Sequence, residues 1–516
     1  MKLFRQLVQY WPIIIITLLG AIFRFTNLNW DAGGRLHPDE ALIVNGALEL
    51  IWPINLFHGF HDYNGFSVYL LKLLSFGAHT PEAMTHIGRG VSATLSTVTI
   101  IAIFFLGKKL WNKDVGILAA LLFTFAPLSI QLAHFYTTES IMVLLLTIVC
   151  YLCTSYWQTP TGKTVVHVGI LSGLLIATKN TGYLFLPIPI AILAIRKMRI
   201  QPLIIFGLVC LITFFIASPY SFLDFHRYLI RSQYLSDVVS GKLLMDWTVQ
   251  FQNTNALFWI KNFLVGFGPM IFFGLLGSLV SWAKTKKLQI SPSSIFSFWS
   301  LGFTIFLSLT YLKFIRYSAP LLPLMAVFAA KVLWDIRKTK LGKLFLSLTI
   351  LSQIIWGIMF FQIYLTPHTS LSARDWITKN IPAHSIIVRE TWNSVIHFNT
   401  APLLEKQYGF FYINLYTQPD TKEKFEQQKN ILQNAHYLIS ESPKVKNTIT
   451  HLSHAYPYTN QLYKGLEDGS LRFELVATFA SYPQLGPAVI FNDELTEETF
   501  TVFDHPTITI YRNTKK

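Results

Sequence analysis

A chain of 516 residues that is 52% hydrophobic, 15% aromatic and only 13% charged is too apolar for an ordinary soluble protein. Its net charge of +15 does not point to nucleic acid, because the basic residues sit in short clusters between apolar runs rather than along one helix or arm. All three cysteines, Cys150, Cys153 and Cys210, lie inside apolar runs, which excludes a disulfide framework for any water-exposed part and favours packing over a metal or redox role.

Because a helix needs about 20 apolar residues to cross a bilayer, the runs near 11–27, 88–106, 115–132, 139–157, 165–178, 183–195, 203–218, 259–282, 293–312, 318–334 and 344–365 are expected as eleven membrane spans. The first follows Lys2 and Arg5 but lacks a small-residue cleavage site after it, so it is expected to stay as a helix. Alternate loops hold the cations: Lys108, Lys109 and Lys113; Lys163; Arg196, Lys197 and Arg199; Lys284, Lys286 and Lys287; Arg337, Lys338, Lys340 and Lys343. Cytoplasmic loops retain positive charge, so these loops and the N-terminus belong inside a plasma membrane. The segments 28–87, 133–138, 179–182, 219–258 and 313–317 then belong outside.

Eleven crossings also leave the hydrophilic residues 367–516 outside. Ser372–Ile377 opens a helical stretch, Ser385–Glu390 and Phe473–Ala477 have strand composition, and Lys422–Ala435 is an amphipathic helix, which together predict a small α+β domain. The fold class is therefore mainly α: a transmembrane helical domain over 1–366, with its first outer loop at 28–87, and an extracytoplasmic α+β domain over 367–516.

Unusual polar residues gather in the outer loops. In His37-Pro38-Asp39-Glu40 two carboxylates follow a proline that can open a helix, where the N-terminal dipole favours negative charge. A carboxylate there can act as general base toward an incoming hydroxyl; the alternative is that Asp39 and Glu40 only cap the helix. The same loop carries His58, His61, Tyr63 and Asn64, suited either to line a sugar site or to form a surface turn. Arg89, His134, Tyr136, Glu139, Lys179, Lys313, Arg316 and Tyr317 fall at span ends on the same face. Any one cation there can snorkel to headgroups, but four on the face that should hold few suit a phosphate. A base beside such cations at a membrane edge fits a lipid-tailed, phosphate-linked sugar.

Trp30-Asp31-x-Gly33-x-x-Leu36-His37-Pro38-Asp39-Glu40, the Tyr63–Leu70 segment, His134-Phe135-Tyr136-Thr137, Ala177–Lys179, Ser218-Pro219-Tyr220, Arg316-Tyr317 with Pro320 and Pro323, Ala373–Ile377 and Val502–Pro506 occur in one order along the chain. In these the sequence resembles the GT-C superfamily of integral membrane glycosyltransferases, in the branch of protein O-mannosyltransferases and lipid A aminoarabinose transferases. The resemblance implies a GT-C fold and transfer of a sugar, with inversion, from a polyprenyl-phosphate donor to an extracytoplasmic hydroxyl or amine. Asp39 takes the role of base, with Glu40 beside it. Glu139 departs from the aspartate more usual after HFYT. No cofactor is expected, although His37, His134, Asp39 and Glu139 are of types that can hold a divalent metal. The rival class is a transporter or lipid flippase, which would more typically show paired repeats and broken helices with polar groups at the midplane.

Overall fold

The computed structural model describes residues 2–52, 54–197, 199–283, 290–391 and 395–515. Lys284, Lys286 and Lys287, expected in a cytoplasmic loop, lie outside the described residues. The chain divides into two compact units, one comprising Met1–Leu28, His37–Ser240 and Ala256–Phe361, the other Asn29–Leu36, Gly241–Asn255 and Gln362–Lys516.

The first unit is helical, and every apolar run expected to span is helical in it. Among the described residues, six helical stretches are long and apolar enough to cross a membrane: Pro81–Leu110, Thr138–Gln158, Ile200–Ala217, Pro292–Leu309, Ile315–Ile336 and the one that starts at Lys340. The other expected runs form shorter or broken helices. Tyr10–Phe25, Gly162–Thr178 and Asn180–Arg196 have 10–17 residues. The run 115–132 divides into Lys113–Thr124 and Pro127–Gln131, since Pro127 has no N–H to continue a helix and serves instead as the first residue of a new one. The run 259–282 divides into Leu257–Phe267 and Met270–Ala283, bent by 114°.

Both breaks carry their own hydrogen-bond partners, as an apolar environment demands. At the second, Gly268 takes φ 73°, open to glycine at no steric cost. The buried Gln353 amide then accepts from Met270 N at 3.2 Å and donates to Phe267 O at 2.9 Å. At the first, the fully buried Arg24 guanidinium donates to Ser96 Oγ and Ser129 Oγ, each at 2.8 Å, and to Thr124 O at 3.4 Å. Helices Met270–Ala283 and Leu322–Ile336 touch at the backbone: a Cβ on Gly274 would lie 2.8 Å from Met325 O and one on Gly277 2.6 Å from Phe328 O.

The second unit is an α+β domain. Its strands are β1 (Ile386–Glu390), β2 (Gly409–Ile413), β3 (Tyr437–Ser440), β4 (Phe473–Phe479), β5 (Gln484–Leu485), β6 (Val489–Ile490) and β7 (Ile508–Asn513). Five form one sheet in the order β2-β1-β3-β7-β4, with β1 parallel to β2 and β3, and β7 antiparallel to β3 and β4. Alternate residues point to opposite faces. Ile387 and Ile439 join a core with Ala373 and Ile377 of the helix Thr369–Asn380, while Val388 and Leu438 join one with Leu432, Ile449 and Leu462. The expected helices at 372–377 and 422–435 and strands at 385–390 and 473–477 are all present.

Candidate active site

The helix Pro38–Glu49 is opened by His37, whose Nδ1 accepts from Asp39 N at 3.2 Å, with Pro38 in the first turn where its missing N–H costs nothing. This fixes the two carboxylates in the first turn but sends them in different directions, because neighbours on a helix are about 100° apart. Glu40 turns inward and is fully buried. Arg89, also buried, donates from Nε to Glu40 Oε1 at 3.0 Å and from Nη2 to Oε2 at 2.7 Å, and Tyr136 N donates to Oε1 at 2.8 Å. Arg89 also donates from Nη1 to Leu28 O at 2.9 Å. Each charge is neutralised by the other in a two-pronged contact, so neither is directed to a substrate.

Asp39 turns the other way. Its Oδ2 lies 2.7 Å from Arg316 Nη1, with 19% of the aspartate side chain and 12% of the arginine exposed. Tyr63 hydrogen-bonds the same carboxylate, and Arg316 Nη1 is 3.1 Å from His37 Nε2. Burial alone would raise the Asp39 pKa; the charges of Arg316, His37 and Lys179 and the Tyr63 hydroxyl hold it down to about 2. Lys179 donates to Glu139 Oε1 at 3.1 Å and lies 5.3 Å from the Tyr63 ring centre and 4.9 Å from that of Tyr317. Two carboxylates and two cations thus alternate around two tyrosines. They come from ends of helices: Asp39 from the first turn of Pro38–Glu49, Glu139 from that of Thr138–Gln158, Lys179 from the C-cap of Gly162–Thr178 and Arg316 from the 3-10 turn Ile315–Leu321. Buried within it, Arg316 Nε has no hydrogen-bond partner among the described residues.

The other expected site residues go elsewhere. Tyr136 is fully buried, its hydroxyl donating to Ser67 O at 2.7 Å and its ring filling the space a Cβ on Gly88 would need. His134 has one ring nitrogen 2.9 Å from Ile130 O and the other 3.0 Å from Thr26 O, which makes it a brace for the turn. Asn64 donates to Ile176 O at 2.6 Å. Lys313 donates to Thr310 O at 2.5 Å, and burial lowers its pKa. His58 packs against Phe57, Phe60 and Tyr69, and burial, then the His61 charge, pull its pKa down to about 4, so it is neutral. His61 pairs with Asp224 at 3.1 Å, and Asp62 with Arg231, which ties the first outer loop to the segment 220–240. Arg231, Asp224 and Arg24 were not marked by the sequence as special; each sits in an amphipathic or apolar stretch whose partner is over 70 residues away. Among the described residues no group of three or more His, Cys, Asp and Glu could hold a metal ion, so His37, His134, Asp39 and Glu139 do not form such a set.

A likeness to known structures now adds to this geometry. The oligosaccharyltransferase of Archaeoglobus fulgidus, solved with a tethered acceptor peptide, superposes with a TM-score of 0.51 at 14% identity, over 88% of this chain and 72% of that one. The chain has the GT-C fold. Another structure of that GT-C protein, with an inhibitory peptide and a dolichol-phosphate, matches with the same score, identity and coverage. ArnT from Cupriavidus metallidurans, solved with undecaprenyl phosphate, is 11% identical over 97% of each chain, with a TM-score of 0.49. Within the sequence, residues 85–222 match the dolichyl-phosphate-mannose-protein mannosyltransferase model. No curated protein matches the chain by sequence. The apolar helices of this chain make it a multi-pass membrane protein.

Proposed function

We propose that this chain transfers a sugar from a polyprenyl-phosphate donor to a hydroxyl or amine on the extracytoplasmic side, with Asp39 as general base and Arg316 and Lys179 as the phosphate's partners. The observation that carries the reading is the 2.7 Å approach of Asp39 to Arg316, both partly exposed, with Lys179 and Glu139 next to them. The fold is shared with an oligosaccharyltransferase solved with dolichol-phosphate. In an in-line displacement the acceptor oxygen gives its proton to Asp39 as it bonds to the anomeric carbon. The bond from that carbon to the phosphate oxygen breaks, and the polyprenyl phosphate leaves with the electron pair, which inverts the centre. Arginine offers planar, two-pronged donors to a phosphate and lysine a point charge, and Arg316 has a buried Nε with no partner to spare for it. A phosphate that draws Arg316 toward itself loosens its hold on Asp39, so donor binding raises the proton affinity of the base it needs.

Glu40 and Arg89 hold the loop rather than react, and Glu139 sets the position of Lys179. Positioning and fixed charge supply most of the rate effect in this reading, and no metal is required. The Lys and Arg bias of alternate loops supports a cytoplasmic N-terminus in the plasma membrane and an extracytoplasmic domain over 367–516. Transfer of labelled sugar from short-chain polyprenyl-phosphate donors by the purified protein, wild type beside Asp39→Asn, tests the reading.

A further inference from the structure

The second unit carries a short, charge-free hairpin that the proposed chemistry does not use. From Leu475 to Asn492 the sequence holds no charged residue. Within it β5 and β6 pair antiparallel around Gly486, at φ 61°, and Phe491 N donates to Pro483 O at 2.9 Å. Every residue from Leu485 to Asn492 is exposed, including Val489 at 50%, Ile490 at 54% and Phe491 at 41%, and Leu495 just beyond is 73% exposed. A contiguous apolar surface of this kind is unfavourable in water and marks a place of contact.

The chain's own connections say what it meets. The helix Lys340–Phe361 has 22 residues, about 33 Å at 1.5 Å per residue, enough to cross the hydrocarbon core and end at its edge. Thr366 follows Phe361 by five residues, so even a fully extended chain carries it no more than about 17 Å from that edge. Thr366 Oγ1 is 3.2 Å from Ser481 Oγ, at the foot of the hairpin. The strand end opposite is held to the same stretch: Tyr364 Oη donates to Asp504 at 2.7 Å and Thr369 Oγ1 to Pro506 O at 2.7 Å.

We infer that the hairpin Pro483–Phe491 is a membrane-contact finger, seating Leu485, Val489 and Ile490 in the lipid headgroup and acyl boundary. A bilayer is the partner for an uncharged apolar tip that a covalent tether holds within reach of one. The role is independent of the transfer chemistry.

The full chain, reconstituted in nanodiscs of phosphatidylcholine and phosphatidylglycerol, tests this. Cys150, Cys153 and Cys210 are buried, so a fluorophore placed on Val489→Cys reports the hairpin, and one on Glu426→Cys, on the exposed face of the helix Lys422–Asn434, serves as reference. Acyl-chain-quenching lipids are expected to quench the label at 489 about twofold or more above the reference, and aqueous iodide to quench it less. Iodide quenching equal to the reference with no effect of lipid overturns the inference. So does shielding from both quenchers, which would mean that a second protein surface covers the hairpin. Ile490→Cys, at the neighbouring exposed position, repeats the measurement independently of how the first substitution folds.

Discussion

Asp39 Oδ2 stands 2.7 Å from the Arg316 guanidinium with 19% of the aspartate side chain exposed, while the very next carboxylate, Glu40, is sealed against Arg89 with neither side chain exposed by more than 1%. Two adjacent acids have opposite fates because the helix that His37 caps points them about 100° apart. Their substitutions should therefore fail in different ways.

Arg89→Ala leaves the Glu40 carboxylate buried with the Tyr136 N–H as its remaining donor among the described residues, and removing one member of a buried ion pair costs about 3–5 kcal/mol. A markedly lower thermal unfolding midpoint in detergent is expected, together with loss of yield. A wild-type midpoint would mean that the pair does not brace the loop.

Arg316→Ala is expected to raise the donor KM and lower kcat/KM by tenfold or more, on the order of the 1.4 kcal/mol or greater that one charge-assisted contact supplies. It should also shift the acid limb of the kcat/KM profile upward. In the wild type the aspartate's folded pKa is depressed to about 2 from 3.8, so its stabilising contribution is full above 3.8 and is lost as pH falls through 2. Without the guanidinium, burial dominates and protonation begins at higher pH. Parallel pH–rate profiles that superpose would contradict the pairing.

His505 lies 2.9 Å from Asp493 and 2.5 Å from Asp504. Burial would lower its pKa, but the two carboxylates win and push it up to about 10. A raised folded pKa stabilises fully below the ordinary 6.5 and loses that contribution as pH climbs through 10. The second unit should melt at progressively lower temperature between about pH 7 and pH 10, and His505→Gln should melt lower at neutral pH with a flatter dependence, as followed by circular dichroism at several pH values. An alkaline slope equal in wild type and variant would sink this.

Transfer is expected to persist after exhaustive treatment with a divalent-metal chelator, because the proposed mechanism assigns the positive charge at the phosphate to Arg316 and Lys179. Activity that falls on chelation and returns with one added metal would assign the leaving-group role differently.

Much of the fold was legible in the sequence because apolar run length is a direct consequence of bilayer thickness, and all eleven runs became helices. What could not be read was where runs break. Pro127 and Gly268 were visible, but the partners that make breaks tolerable, Gln353 and Arg24, come from helices distant in the chain. The site was legible in part. Asp39, Tyr63, Glu139, Lys179, Arg316 and Tyr317 meet, whereas Arg89, His134, Tyr136, Asn64 and Lys313 are spent on Glu40 or on backbone carbonyls. Sequence position says that a polar group lies at a span end; it does not say whether that group turns toward the neighbouring helix or toward the opening. The Trp30–Glu40 motif also divides between the two units at Leu36 and His37, which no periodicity marks.

The central claim is tested most directly by following labelled sugar release from a panel of short-chain polyprenyl-phosphate donors, with purified wild type and Asp39→Asn at equal concentration and with matched unfolding midpoints. Turnover by the wild type and its loss, by about a thousandfold or more, in the variant is the expected result. Full turnover by Asp39→Asn would contradict the assignment of the base, and no consumption of any donor by a folded wild type would contradict the donor class itself.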